Sequence, residues 1–579
     1  MGDRSRGPVL FLVPARGGSR RIPAKNLREV AGIPIVGHAI RTARLTAAHL
    51  GGGPHLVVCS TDDPSIAATA TAWGARVIDR PAELATDAAT SVDVVLHALD
   101  TLNAEAPRPS TVVLLQPTSP LTEPTDVAAA LELFEGAGGR GVVSVTRSHP
   151  VAWHQARDHD GILRAGPQGE AEYLLTGAFY ICHADRLRGS RSLAEPGNTL
   201  GYEVPVERSV DIDEPSDLLL AEQLANVRAI APVPLGDRLI GDGPAFVIAE
   251  AGVNHNGDEQ LAHRLIEAAA AARVDAVKFQ TFDPETLAAP STPIADYQRA
   301  AGETGDQREM LTRLALPPEA WPRLQAHARE CGLVFLSTPF DEESARLLDR
   351  LDVPAFKVGS GELTNIPFLE RLAAFGRPML VSTGMADMVE VAAAVDAIRA
   401  AGNGHLALFH CVSAYPARHE DANLRAMATI HSAFGVPTGW SDHTPGIELP
   451  IAAVALGAAM VEKHLTLDRS MPGPDHAASV EPEELAALVA AVRATEAALG
   501  SGRKAPVEAE RPIAAAARRS LHWRHSLPSG QVITADDLVA LRPGTGVAPA
   551  RLAGLIGRRT RRQVDDGAAV ADADLEEEA

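Results

Sequence analysis

Apolar and polar positions alternate along the chain in two long regimes. From residue 8 to about 228, short β-branched runs such as "VLFLVP", "HLVVCSTD", "ARVIDR" and "TVVLLQPTSP" are separated by Ala/Leu-rich helical stretches, among them "PSIAATATAWGA" and "SVDVVLHALDTL". Strands separated by helices predict a mostly parallel sheet covered on both faces, a doubly wound α/β domain over 1–228. A Pro/Gly-punctuated stretch, "RAIAPVPLGDRLIGDGP", follows and reads as a linker over 229–244. Over 245–510 eight apolar runs recur between helices: "AFVIAE", "AVKFQ", "VFLSTP", "AFKVGS", "MLVSTG", "LALFHC", "TGW" and "MVEKH". That number is what a (β/α)8 barrel requires. Over 515–579 helices fade, and "PSGQVITADDL" is echoed by "VDDGAAVADADL". The echo predicts a small β-rich module with internal pseudo-symmetry.

Length and charge narrow the function. With 579 residues the chain exceeds one core, and 46% hydrophobic with 22% charged residues is an ordinary globular composition. The net charge of -21 argues against nucleic acid or an anionic membrane as partner, so local clusters of cations read as small-molecule sites. Cys59, Cys182, Cys331 and Cys411 are scattered and form no CxxC pair, which argues against a disulfide framework or structural zinc and for a reducing, cytoplasmic setting. No signal core follows Met1, and "LPIAAVALGAAMV" falls short of a membrane span, so a soluble protein is expected.

The first strand empties into "ARGGSRRIPAKN", a glycine loop with Arg16, Arg20, Arg21 and Lys25. Strand, Gly-rich loop and helix offer backbone N–H groups and a dipole to phosphate, although neither the P-loop nor the GxGxxG spacing is present. A plain βα turn remains the alternative. In "SVDIDEPSDL", Asp211 and Asp213 lie two apart and share a face of an extended segment, where they could hold Mg2+, unless Asp213 or Glu214 only caps the next helix. In the barrel, each run ends in polar residues at the strand ends where such folds place catalysis: Glu250, Lys278 with Gln280, Thr338, Lys357 with Ser360, Ser382, Cys411 with Ser413, and the stretches 441–443 and 462–464. His443 and His464 would end neighbouring strands and make a plausible Mn2+ site, the alternative being two structural histidines. Lys278 and Lys357 face the same mouth without a nearby excess of carboxylate, so an anion, a small phosphorylated acid, is expected between them; the alternative pairs each lysine with a neighbouring acid.

"VPARGGSRRIPAKN", "DRPAELATDAATS", "LLQPTSPL" and "VDIDEPSDL", in this order over residues 9–220, resemble the CMP-sialic acid synthetases, or acylneuraminate cytidylyltransferases. The resemblance implies that Arg16, Ser19, Arg20, Lys25 and Asn26 grip the phosphates and base of CTP, with Arg16 and Lys25 catalytic. It further implies that Arg80, Ser91 and Gln116 address nucleotide or sugar and that Asp211 and Asp213 carry Mg2+. The implied reaction is attack of a sugar's anomeric oxygen on the α-phosphorus of CTP, releasing pyrophosphate. This chain has Arg20-Arg21 where the family often has Lys-Gly, and Leu174 to Gly177 where many members carry Arg-x-Asn-Gly.

"FVIAEAGVNHNGD", "AVKFQTF", "FLSTPFD", "FKVGSGELTN", "VSTGM", "HCVSAYP", "WSDHTPG", "EKHLTLD" and "PGPDH" resemble the sialic acid synthases over residues 245–480. Condensation of phosphoenolpyruvate with the open-chain aldehyde of an N-acetylhexosamine is what this implies, with a metal on His443 and His464 polarising the aldehyde oxygen. Lys278, Thr338, Lys357, Ser360, Ser382 and Ser441 would bind phosphoenolpyruvate; Gln280, Tyr415 and Asp475 would line the sugar site; Glu362 and Ser413 would also touch substrate. Glu250 would position the sugar or the attacking water. Ser413 stands where some N-acetylneuraminate synthases have Asn. "LVALRPGTG" resembles the antifreeze-like SAF (β-clip) domain of the same enzymes, which implies a domain-swapped homodimer with Arg542 reaching the partner's substrate. Without the resemblance Arg542 is a surface arginine in a turn. The chain as a whole is thus expected to make a nine-carbon keto acid, N-acetylneuraminate from N-acetylmannosamine, and to load it onto CMP. Alternatives are the same two steps on legionaminic acid or another analogue, a 3-deoxy-octulosonate pairing that fits the phrases poorly, and a chain in which one half is only a binding or scaffold module.

Overall fold

The structure, a computed structural model, describes residues 8–576 apart from 52–54, 103–107, 139, 148–154, 158–162, 166–172, 196, 228–229 and 301. Two compact units are present, one up to Ala498 and one from Leu499.

The first unit opens with a seven-stranded sheet: β1 Val9–Pro14, β2 Leu56–Thr61, β3 Arg76–Asp79, β4 Thr111–Leu115, β5 Gly141–Arg147, β6 Tyr173–His183 and β7 Thr199–Glu203. Their order is β7-β5-β6-β4-β1-β2-β3, parallel but for β6. Residues Leu10 to Val13 are all fully buried because helices cover both sides, among them α1 Ile35–Leu50 and α2 Ser91–Leu102. In α1 the buried Ile35, Val36, Ala39, Ile40 and Ala43 follow helical spacing and form its inner stripe. Strand order reverses between β1 and β4, so the loops leaving these two strands border a crevice at their C-terminal ends, the usual ligand position in such sheets. Beyond β7, the Asp211–Asp213 segment leads into α3 Pro215–Asn226.

The stretch read as a linker is largely a hairpin. Residues 228–229 lie outside the described residues, but β8 Val233–Leu235 pairs antiparallel with β9 Arg238–Ile240 across a two-residue turn at Gly236 and Asp237. Gly236 has φ +62°, which a glycine adopts without strain. The buried Val233, Leu235 and Ile240 join Phe246, Ile248, Ala276, Leu336, Leu380, Ala407 and Met460 in one apolar cluster. Gly236 shapes the turn, and the apolar Val233, Leu235 and Ile240 on either side of it close the floor of the barrel.

The barrel strands are β10 Phe246–Gly252, β11 Ala276–Thr281, β12 Val334–Pro339, β13 Phe356–Val358, β14 Met379–Ser382, β15 Leu406–Cys411, β16 Thr438–Asp442 and β17 Met460–His464. They pair in parallel in the order β12-β11-β10-β17-β16-β15-β14-β13, and the seam lies between β12 and β13. Two of the outer helices matter below, α4 Met388–Ala400 and α5 Ala426–Phe434. Side chains alternate along each strand. Phe246, Ile248, Ala276, Leu336, Leu380, Ala407 and Met460 form the apolar floor, and the positions two or four further along the same faces are Glu250, Lys278, Thr338, Ser382 and Glu462.

In the second unit β18 Ser520–Trp523 pairs antiparallel with β19 Leu538–Leu541 over a core of Leu521, Trp523, Ile533, Val570 and Leu575. The two similar phrases adopt the same local form: Asp537 accepts from the Thr534 N–H at 2.6 Å, and Asp574 accepts from the Ala571 N–H at 2.8 Å. Among the described residues no helix is long and apolar enough to cross a membrane.

Candidate functional site

A cavity of about 650 Å³ opens at the reversal point of the first sheet. It is large enough for a nucleotide. Its wall holds Arg16, Ser19, Arg20, Lys25, Asn26, Arg80, Ser91, Gln116 and Asp213 together. The loop after β1 is shaped by its own contacts. Asn26, itself buried, donates to the Arg16 carbonyl at 2.9 Å, and the Gly17 N–H donates to Asp62 at 3.0 Å. A Cβ on Gly17 would stand 2.7 Å from Asp63 Oδ2, so only glycine lets the loop lie against that carboxylate. Arg80 is buried and donates to the Ser60 carbonyl at 2.6 Å, while Gln116 donates to Ser91 Oγ at 3.3 Å.

Cations and acids interlock across this cavity. Asp87 receives Arg16 at 2.7 Å and Arg20 at 3.3 Å. Its hydrogen bond from Arg16, with the two guanidinium charges, holds its carboxyl below the usual range. Asp87 carries no motif of its own in the sequence and was not among the candidates; it marks where an anion would exchange for a carboxylate. Lys25 donates to the Ile212 carbonyl at 2.7 Å and to Asp213 Oδ1 at 3.1 Å, joining the loop to the acidic segment. The helix cap is Glu214, in a capping box in which the Asp217 carboxylate accepts from the Asp213 and Glu214 N–H groups at 2.9 and 2.7 Å; the Asp213 side chain turns to Lys25 instead. Asp211 is open to solvent, yet the protein behind its carboxyl desolvates it and, with the Asp213 charge, raises its pKa. A divalent cation beside the two carboxylates would oppose that rise and favour the ionised Asp211, so this pair fits Mg2+.

The second site fills the barrel's C-terminal end, and here one expectation is corrected. The lysines do not converge without carboxylate: Lys278 Nζ lies 2.7 Å from Glu250 Oε2 and 3.7 Å from Glu462 Oε2, and Lys357 donates to Glu462 Oε1 at 2.9 Å. Two buried cations meet two buried anions, since interior charges persist only when paired. Glu462, marked in the sequence only as part of the polar strand end 462–464 and without a role, stands two before His464 on β17, which puts both on the inner face. The intervening Lys463 points the other way and pairs, fully buried, with Asp442 at 2.6 Å. Ser441 donates to Glu462 at 3.0 Å, Gln280 to Glu250 at 3.1 Å, and Lys278 to Thr338 Oγ1 at 3.2 Å.

The remaining candidates divide. Ser360 accepts from the Gly384 N–H at 3.0 Å and touches Cys411 Sγ at 3.2 Å. A Cβ on Gly384 would stand 2.3 Å from Ser413 Oγ and 2.8 Å from Ser360 Oγ, so the loop after the buried Ser382 reaches these hydroxyls only as glycine. The Tyr415 ring lies 4.2 Å from that of His443 and 5.9 Å from that of His464, centre to centre. Asp475 Oδ2 is 3.9 Å from His464 Nδ1. Glu362 instead accepts from Asn365 at 2.8 Å in the turn after β13. Arg542, just past β19, is exposed in the second unit.

Burial sets the protonation states. It pushes Glu462 upward, but the Lys278 and Lys357 charges more than reverse this and bring it to about 2. Glu250 ends raised by burial despite Lys278. For Lys278 burial is outweighed by Glu250 and Glu462, leaving it raised, whereas burial prevails at Lys357 and lowers it. His464 is held well below its ordinary value by burial and by the His443 and Lys278 charges, and burial lowers His443 as well. Both imidazoles are therefore neutral. His443 Nδ1 faces the Val412 carbonyl at 2.7 Å, which puts its proton there and leaves Nε2 a lone pair. His464 Nδ1 is buried with no hydrogen-bond partner. Neutral rings 5.4 Å apart with free nitrogens suit a divalent transition metal. Among the described residues no group of three or more His, Cys, Asp or Glu could hold an ion, so water or substrate oxygens would complete it.

Burial, helped by the Glu250 charge, raises Asp475 to about 7. A carboxyl raised in the folded state favours folding below its unfolded value near 3.8, and this contribution is lost as pH rises through about 7. In metal-free protein Asp475→Asn should therefore stabilise the barrel by a few kcal/mol at pH 8 and by little at pH 5, read from denaturant midpoints at both pH values.

Three family models match the chain in order: a cytidylyltransferase over residues 10–162, the NeuB family over 265–504 and a SAF domain over 518–576. The N,N'-diacetyllegionaminic acid synthase of Legionella pneumophila subsp. pneumophila is 46% identical over 327 residues, covering 56% of this chain and 92% of that protein. The protein of the same name from Campylobacter jejuni subsp. jejuni is 40% identical over 316 residues, 54% of this chain and 95% of the other. Human N-acetylneuraminate-9-phosphate synthase is 36% identical over 334 residues, 56% of this chain and 91% of the other.

Proposed function

The chain belongs to the NeuB family, and on that footing we propose a bifunctional enzyme of nonulosonic acid synthesis. Its barrel condenses phosphoenolpyruvate with an N-acetylated hexosamine to a nine-carbon keto acid and phosphate; its first domain transfers CMP from CTP to that acid and releases pyrophosphate. The observation that carries the reading is the presence in one chain of two differently equipped sites: a cation-rich cavity of nucleotide size beside Asp211 and Asp213, and a barrel mouth with two neutral histidines next to paired lysines.

At the mouth, Lys278 and Lys357 would hold the anionic groups of phosphoenolpyruvate, with Thr338, Ser360, Ser382 and Ser441 as hydroxyl partners. Gln280, Tyr415 and Asp475 would orient the sugar, and Glu250, beside Gln280, would position the sugar or the water that adds at C2 before phosphate departs. A divalent ion such as Mn2+ on His443 and His464 would act as a Lewis acid toward the aldehyde oxygen. In the first domain Arg16, Ser19, Arg20, Lys25 and Asn26 would exchange their protein partners for CTP, and Mg2+ on Asp211 and Asp213 would neutralise phosphate charge. A homodimer in which the partner subunit's Arg542 reaches the sugar belongs to the same reading.

For the sugar, we favour a 2,4-diacetamido-6-deoxy hexose of the legionaminic kind, supported by the two synthases at 46% and 40% identity. N-acetylmannosamine is the second reading, supported by the synthase at 36%. Supplying phosphoenolpyruvate, Mn2+, Mg2+, CTP and either sugar, and following phosphate and pyrophosphate separately, tests both. Both ions released with one sugar is the expected result and names the product; phosphate without pyrophosphate would sink the second activity. Asp211→Ala should cut pyrophosphate release at least about 100-fold while phosphate release persists, since the lost group acts on charge built up at the α-phosphoryl.

A further inference from the structure

Two of the stretches at the nucleotide cavity, the loop over 16–26 and the Asp211–Asp213 segment, run directly into a surface buried against the barrel. The loop continues through the turn Lys25–Leu27 into a small hairpin, Glu29–Val30 with Ile33–Pro34, whose tip is Ala31 and Gly32. The Ala31 N–H donates to Glu222 on α3 at 2.8 Å. The acidic segment is anchored to the first turn of the same helix, where Asp217 accepts from Asp213 and Glu214. One helix therefore anchors both of these stretches.

That helix and the hairpin rest on the barrel. At the far end of α3 the Asn226 amide meets the Ser432 hydroxyl of α5. Gly32 lies so close to α5 that a Cβ would stand 2.2 Å from Thr429 Cγ2, and its φ of +70° also requires glycine. On α1, Arg41 grips Asp396 of α4 with three hydrogen bonds, 3.0 and 3.1 Å from Nε and 2.6 Å from Nη2, with 14% and 12% of the side chains exposed. The Arg41 guanidinium covers the Phe434 ring at 5.4 Å, and Arg399 holds the Phe434 carbonyl at 2.7 Å. A hydrophobic cluster continues from α1 and α3 into the barrel helices. A two-pronged, largely desolvated Arg–carboxylate pair with a stacked ring fixes orientation as well as proximity.

We propose that the barrel is a structural component of the nucleotide site: the docking of α1, α3 and the 29–34 hairpin on α4 and α5 sets the spacing between the phosphate loop and the Asp211/Asp213 pair. CTP affinity then depends on side chains of the barrel that lie in neither site. The inference rests on the reading of the first cavity as a CTP site.

The test uses the full chain with Asp396→Ala, which removes the grip on Arg41, and Thr429→Arg, which wedges the Gly32 contact. Binding of CTP with Mg2+ is measured by titration calorimetry, unfolding by scanning calorimetry, and condensation by phosphate release. The expected result is a dissociation constant for CTP raised about tenfold or more, the usual range for energetic coupling between sites. Separated unfolding of the two halves and unaltered condensation should accompany it. CTP affinity equal to the parent's in a variant whose halves unfold separately would overturn the inference. So would unfolding and affinity unchanged in both variants, because the surface would then hold nothing. A parent chain that bound no CTP would sink the nucleotide reading and the inference together, whereas parental binding with unaltered variants sinks the inference alone.

Discussion

Full-length protein carrying His464→Ala should condense phosphoenolpyruvate with its hexosamine at least about 100- to 1,000-fold more slowly, the scale of losing one electrophilic group aimed at a reacting oxygen. Given the finished nonulosonic acid, the same variant should release pyrophosphate from CTP within about twofold of the parent, since distant sites behave independently. The barrel histidine is neutral, faces Tyr415 and His443, and has a buried nitrogen without a partner. Removing it takes one of two nitrogen ligands from any ion at the mouth and leaves the first domain untouched. Phosphate and pyrophosphate assays on the two half-reactions check the outcome, with circular dichroism to confirm folding. Loss of both activities in a folded variant would refute the division of labour between the halves.

Glu462→Ala should cost about 3–5 kcal/mol of barrel stability, the scale for stripping one partner from a buried ion pair. Its carboxylate receives Lys357 and Ser441 and lies 3.7 Å from Lys278, all buried. With it gone, two ammonium groups would be balanced by Glu250 alone. Glu462→Gln keeps a hydrogen-bond acceptor without the charge and should lose less. Inorganic phosphate should restore part of the loss in Glu462→Ala, because an anion between the lysines replaces the missing charge; unfolding midpoints with and without phosphate measure this. A carboxyl lowered to about 2 stabilises the fold above its unfolded value near 4.5, and that share disappears as pH falls toward 2. The parent should therefore lose stability through this interval more steeply than Glu462→Gln. Equal midpoints for all three proteins at pH 7 would mean that the four charges are not coupled as the distances indicate.

The linker shows where pattern reading falls short. Pro and Gly in "VPLGDRLI" punctuate a turn equally well in a spacer and in a hairpin; the difference is whether Val233, Leu235 and Ile240 have a surface to bury against, and the open end of the barrel provides one. The lysines failed for a related reason. Their partners Glu250 and Glu462 sit on β10 and β17, far from Lys357 in sequence, and a count of charges near each lysine along the chain does not see them. Asp87 is the same case in the first domain, 71 residues from the Arg16 it receives.

Local regularities did determine a great deal. Eight apolar runs ending in polar residues are enough to specify a barrel and to put its chemistry at one end, because strand periodicity forces alternate side chains to one face. The same rule put His443 and His464 at the ends of neighbouring strands, and the cations of the glycine loop do line one cavity, although the loop runs into a short turn and hairpin before α1 begins at Ile35. Tertiary structure decided the rest: which acid balances which base, which nitrogens remain unpartnered, and which helices of the barrel support the nucleotide cavity. Those are properties of groups that become neighbours only when strands close into a barrel and domains dock. Burial then multiplies the energy of each pairing, and no pattern along the chain carries that information.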